Sequence, residues 1–97
     1  MIDANLHLVV KVVAREGKAD ACLAAIEAIV APTREESGCR EFRVLRAGED
    51  AFFFVEAWTS SEAYDQHFAT PHIQAFLAGY GELFAGAPVI ERCAQLF

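Results

Sequence analysis

Six side chains between positions 54 and 72 are of the types that chemistry on a small organic molecule needs: Phe54, Glu56, Trp58, Tyr64, His67 and His72. Glu56 stands between Phe54 and Trp58 on one side of an apolar alternation. Burial strips a carboxylate of water and raises its pKa, which suits it to act as a base or to hold a ligand hydroxyl. A structural ion pair with Arg43 on the neighbouring strand is the competing reading. Trp58 either walls a pocket against a flat substrate or fills the core. His67 and His72 are the natural proton carriers near neutral pH. They lie five residues apart across the Ala69-Thr70-Pro71 break, so they lack the i, i+4 spacing of a metal pair on one helix. His67 follows Tyr64 by three residues, close to the same helix face. His72, near a helix start, can equally serve as a cap-region residue bonded to backbone.

Other chemistries have no support. No Gly-rich phosphate loop follows a strand, no dinucleotide fingerprint is present, and no Ser occupies a nucleophile elbow. The three cysteines, Cys22, Cys39 and Cys93, form no CxxC and are odd in number. They read as free thiols of a cytoplasmic protein, with no structural metal. Cys22 falls on a core stripe and reads as inert. The net charge of −6, with scattered Lys and Arg, argues against nucleic acid and against anionic membranes. No stretch reaches the roughly 18 apolar residues of a membrane span, and positions 6–14 read as a strand rather than a signal peptide.

The elements that must position these side chains follow from periodicity. Positions 6–14 are rich in β-branched residues, with Leu8, Val10 and Val12 sharing one face. Positions 19–37 read as a helix striped by Cys22, Ala25, Ile26, Ile29, Val30 and Thr33, with a kink or early end at Pro32 and Gly38 as its C′ stop. Glu35 and Glu36 sit where the helix dipole disfavours anions, and nothing local explains them. Strands over 39–46 and 51–58 are joined by the polar Ala47-Gly48-Glu49-Asp50 as an antiparallel hairpin. Thr59-Ser60-Ser61-Glu62 reads as a capping box that starts a helix over 60–68 from Thr59. Thr70-Pro71 starts a second piece with Ile73, Phe76, Leu77, Tyr80, Leu83 and Phe84 on one stripe, ended by Gly86. Positions 88–96 supply the last strand.

The order is β-α-β-β-α-β, an α+β, ferredoxin-like pattern in one domain over 1–97: a four-stranded antiparallel sheet with helices on one face. A chain of 97 residues hides roughly 60–65% of its unfolded surface, enough for a modest core. Yet 55% of the residues are hydrophobic and eight are Phe, and the strand over 51–58 is apolar on both faces. With both helices on one face, the other needs a second cover, so the chain is expected to be a homodimer with sheet facing sheet. His7 falls on that expected interface.

Glu36-Ser37-Gly38-Cys39, Phe42, Phe53-Val55-Glu56-Ala57-Trp58, Ala63, His67, Thr70-Pro71-His72 and Phe76 together resemble the antibiotic biosynthesis monooxygenase family, in its small quinol-monooxygenase form. The resemblance spans nearly the whole chain. It implies a dimeric ferredoxin-like α+β barrel and a monooxygenase that uses dioxygen without metal, flavin or haem. Under it, His67 or His72 takes a proton from a small aromatic hydroxyl compound, a quinol or polyketide-like phenol. Glu56 orients a hydroxyl, and Trp58, Phe54 and Tyr64 hold the ring. The family's haem-degrading branch needs Asn, Trp and His where this chain has Val10, His67 and Leu77, so haem degradation is not expected. A non-catalytic ligand-binding dimer and an isomerase of a small phosphorylated signalling compound are the alternatives; for an anion the sequence offers Arg43 and Lys11.

Overall fold

The computed structural model describes residues 5–97. Among them the elements run β1 (Leu6–Val13), α1 (Ala19–Arg34), β2 (Cys39–Ala47), β3 (Ala51–Trp58), α2 (Ser61–His67), α3 (Pro71–Leu83) and β4 (Val89–Cys93). The four strands form one antiparallel sheet in the order β2-β3-β1-β4, the ferredoxin-like arrangement expected from the element order.

Alternation decides what faces the helices. Leu8, Val10 and Val12 of β1 and Phe52, Phe54, Glu56 and Trp58 of β3 are all buried. Cys22, Ile26, Ile29 and Thr33 of α1 close over them. Among the described residues no helix covers the opposite sheet face. Val9, Val13, Phe53 and Val55 there are half-buried, and Leu45 is 50% exposed. The ammonium of Lys11 lies over the Phe53 ring at 5.8 Å on that face.

Some boundaries and caps differ from those read in the sequence. Helix α1 keeps Pro32 inside but stops at Arg34, not at position 37. A proline this close to the end removes one hydrogen bond, and the helix stops two residues later. The cap of α2 is Ser60, whose hydroxyl accepts from the Ala63 N–H at 3.1 Å. Thr59 still belongs to the sheet: its N–H donates to the Gly38 carbonyl at 2.9 Å, so the Glu62 carboxylate has no free N–H there to complete a capping box. Thr70 does precede Pro71 at the start of α3, but its hydroxyl donates backward to the His67 carbonyl at 2.7 Å instead of capping forward. β4 covers only Val89–Cys93, and every residue of it is exposed. An edge strand with no helix over it has little to hold its flanks in register.

Gly38 is required for a different reason than a helix stop. It has no positive φ, unlike Gly17, Gly48 and Gly86. Instead a Cβ built on it would lie 2.3 Å from the Ala63 Cβ and 3.1 Å from the Thr59 Oγ1. The missing side chain lets α2 settle against the start of β2. Gly38→Ala is expected to cost about 1–3 kcal/mol through overpacking, read as a fall in Tm of about 5 °C or more by calorimetry.

Candidate functional site

Beneath α2 and α3 the helix-side face of the sheet forms a partly open cavity of about 70 Å³. Its wall is apolar except for Glu56, Tyr64, His67 and Tyr80. Phe42, Phe54, Phe76 and Ile90 are among the apolar residues around them. Four of the six sequence candidates therefore meet at one cavity: Phe54, Glu56, Tyr64 and His67.

Glu56 reaches it because strand alternation puts it on the same face as Phe54 and Trp58. Its cross-strand partners are Leu8 and Phe42, so nothing beside it is charged. Arg43, the ion-pair partner weighed from the sequence, projects from the other face and pairs with Glu41. The Glu56 carboxylate instead accepts from the Trp58 Nε1–H at 2.9 Å. Burial pushes its pKa from an ordinary 4.5 up to about 7; the Trp58 hydrogen bond opposes this and the negative charge of Glu36 adds to it. Trp58 itself is fully buried and is not part of the cavity wall. It acts on the cavity from behind, through Glu56 and through its ring, 4.7 Å from that of His67.

His67 is the last residue of α2 and only 5% exposed. Its Nδ1 lies 2.7 Å from the Glu36 Oε2. Burial lowers its pKa below the ordinary value, against the hydrogen bond and charge of Glu36, which raise it. The imidazole is accordingly neutral near pH 7. Its ring stacks on Tyr64, with centroids 6.2 Å apart and planes 17° from parallel. Burial drives the Tyr64 phenol up to about 12, so it remains a hydroxyl. The Arg92 guanidinium sits 5.7 Å from the Tyr64 ring, a cation near the cavity that the sequence reading did not weigh.

His72 is outside the cavity wall. Its Nε2 lies 2.9 Å from the same Glu36 oxygen and 3.3 Å from the Thr70 hydroxyl. Glu36 is thus the residue that the sequence reading missed. Its signal was present, as an acid with no local reason for its place. It stands in the connection between α1 and β2, past the helix end, and its carboxylate faces the α2–α3 break.

The sequence pattern of the antibiotic biosynthesis monooxygenase family matches residues 5–79. The chain belongs to that family. Rv0793 of Mycobacterium tuberculosis, a monooxygenase by name, is 30% identical over 74 residues, 75% of this chain and 73% of its own. The structure of Rv0793 superposes with a TM-score of 0.89 at 26% identity, over 96% of each chain. PA3566 from Pseudomonas aeruginosa gives 0.90 at 28% identity, over 97% of this chain and 96% of its own. A protein of Nitrosomonas europaea keeps the fold, at a TM-score of 0.91 over 98% of this chain and 93% of its own, with 16% identity.

In this antibiotic biosynthesis monooxygenase domain, Glu36, His67 and His72 offer ligand atoms within 4.8 Å of one another. Two histidines and a carboxylate are a known metal-binding set, one that spacing along a single helix could not reveal. The distances, however, are those of hydrogen bonds. Ligands at about 2.0–2.1 Å from one tetrahedral ion stand about 3.3 Å apart, whereas both imidazoles approach the oxygen to 2.7 and 2.9 Å. The three cysteines are unpaired thiols, and burial raises both Cys22 and Cys39, the latter to about 11. No helix among the described residues is long and apolar enough to cross a membrane.

Glu56 gives the family domain a pH signature. Because its folded pKa is raised, the folded chain binds more protons than the unfolded one between pH 4.5 and about 7. Its contribution to stability is therefore complete below pH 4.5, declines as pH rises, and is lost above about 7. Glu56→Gln keeps an acceptor for Trp58 and removes the charge. Thermal denaturation across pH should show the variant gaining on the wild type from pH 4.5 to 8, by up to about 3 kcal/mol.

Proposed function

We propose that this protein is a cofactor-independent monooxygenase acting with dioxygen on a small aromatic hydroxyl compound, a quinol or a polyketide-like phenol. The observation that carries the reading is one apolar cavity with a neutral imidazole and a carboxyl group of raised pKa on its wall, in a member of a monooxygenase family.

His67 takes the hydroxyl proton of the substrate, and the resulting anion is electron-rich enough to reduce dioxygen directly. For a quinol, one oxygen atom enters the ring and the other leaves as water, giving a hydroxyquinone. The substrate supplies all four electrons, so the balance needs no outside reductant. Glu56, protonated in part near neutral pH, hydrogen-bonds the substrate oxygen, with Trp58 fixing its carboxyl group. Phe54 and Tyr64 hold the ring, and the apolar wall keeps water from the intermediate. His72 lies away from the cavity and supports the site instead of acting as the base.

A second copy closes the bare sheet face and gives the site its rigid floor. The half-buried Val9, Val13, Phe53 and Val55 and the exposed Leu45 favour this.

Oxygen uptake with a panel of quinols and polyketide-like phenols tests the activity. Consumption of one dioxygen per quinol is expected, with His67→Ala losing on the order of 10²-fold or more and His72→Ala less. A panel that shifts the melting temperature without consuming oxygen would make the protein a binder. Turnover that survives His67→Ala would remove the base assignment. Sedimentation at micromolar concentration tests the assembly: twice the chain mass of 10.6 kDa is expected, and a stable single copy overturns the dimer.

A further inference from the structure

We propose that Glu36 is the positioning residue of the site: its carboxylate fixes the tautomer of His67 so that the nitrogen left for the substrate, Nε2, carries the lone pair. The inference rests on His67 as the base, and the tautomer itself is read without a substrate.

A neutral imidazole has one N–H and one lone pair, and which nitrogen holds which decides what the ring can do. The Glu36 Oε2 is an acceptor with no hydrogen of its own. At 2.7 Å, the His67 Nδ1 must therefore be the donor. The proton is then on Nδ1 and the lone pair on Nε2. The same logic fixes His72. Its Nε2 faces the Glu36 oxygen at 2.9 Å and the Thr70 Oγ1 at 3.3 Å. The Thr70 hydroxyl hydrogen is committed to the His67 carbonyl, so Thr70 also presents an acceptor there. His72 must donate from Nε2, and that nitrogen cannot serve as a base.

Roles divide accordingly. The Glu36 oxygen receives two N–H groups, one from each side of the α2–α3 break. His72 and Thr70 hold the carboxylate and the break in place. The His67 ring is kept from turning by Tyr64 stacked on it and by Phe68 edge-on at 5.4 Å. As the base accepts a proton and becomes an imidazolium, a carboxylate at 2.7 Å stabilises the charge. This is the division of labour between carboxylate and imidazole in hydrolase triads, with another reaction at the far nitrogen.

Nitrogen-15 NMR of the imidazole side chains reads the tautomer directly, in the ligand-free protein. The wild type should show neutral His67 protonated at Nδ1 and neutral His72 at Nε2. Glu36→Ala should move His67 toward the Nε2–H form that the free side chain prefers, with kcat reduced on the order of 10²-fold and KM little changed. Glu36→Gln retains a carbonyl acceptor and should recover part of the Nδ1–H form, and it serves as the test if the alanine variant does not fold. A wild-type His67 protonated at Nε2, or a tautomer that ignores Glu36→Ala and Glu36→Gln alike, overturns the proposal. So does a wild-type spectrum altered by chelator, which would make the trio a metal site. If the tautomer is as expected and no quinol is oxidised, the positioning role stands and the oxygenase reading falls.

Discussion

One carboxylate oxygen ties together three parts of the chain. The Glu36 Oε2 receives the His67 ring from the end of α2 and the His72 ring from the start of α3, while Glu36 belongs to the connection behind α1. Short helices joined by a break have little stability of their own. Backbone hydrogen bonds from Ala69 to Gln66 and from Thr70 to His67 span the break between α2 and α3, and the Glu36 carboxylate adds side-chain bonds that anchor His67 over the cavity. Gly38, two residues further on, completes the arrangement by letting Ala63 approach the backbone. The same short segment thus sets both how closely α2 packs and where its last imidazole is anchored.

A second buried carboxylate is handled in the opposite way. Glu36 has charged or polar partners and remains part of a hydrogen-bonded group. Glu56 has Leu8, Phe42 and a single donor, Trp58, and burial makes its proton hard to remove. The two acids lie near enough for the charge of Glu36 to raise Glu56 further. Buried Trp58 and Phe54 flank Glu56 on the strand and help keep water from it.

Much of this was legible in the sequence because period and burial report the same thing. The alternation of Phe52, Phe54, Glu56 and Trp58 placed all four on the buried face, and the stripe of α1 was read correctly at Cys22, Ile26, Ile29 and Thr33. What escaped depends on contacts between distant segments. Thr59 has the right type for a cap, yet its N–H was already engaged by Gly38 across the sheet. Gly38 looked like a helix stop because the need for space beside Ala63 leaves no local trace. Trp58 was read as a possible ring holder, and only the fold shows that it lies behind Glu56. Glu36 could be noticed as an anomaly but not assigned, since its partners are 31 and 36 residues away.

The smallness of the hollow has a thermodynamic consequence. About 70 Å³ is less than half of the roughly 150 Å³ that accommodates a benzene molecule in an apolar interior. A ring-sized guest that is to be fully buried must push wall side chains outward, and Leu77 and Ile90, at 43% and 46% exposure, are the most exposed of them. The work of opening is subtracted from the affinity of such a guest. It is recovered only by those that refill the space with good contacts, so loose resting-state occupancy and strong sensitivity to guest shape belong together in this protein.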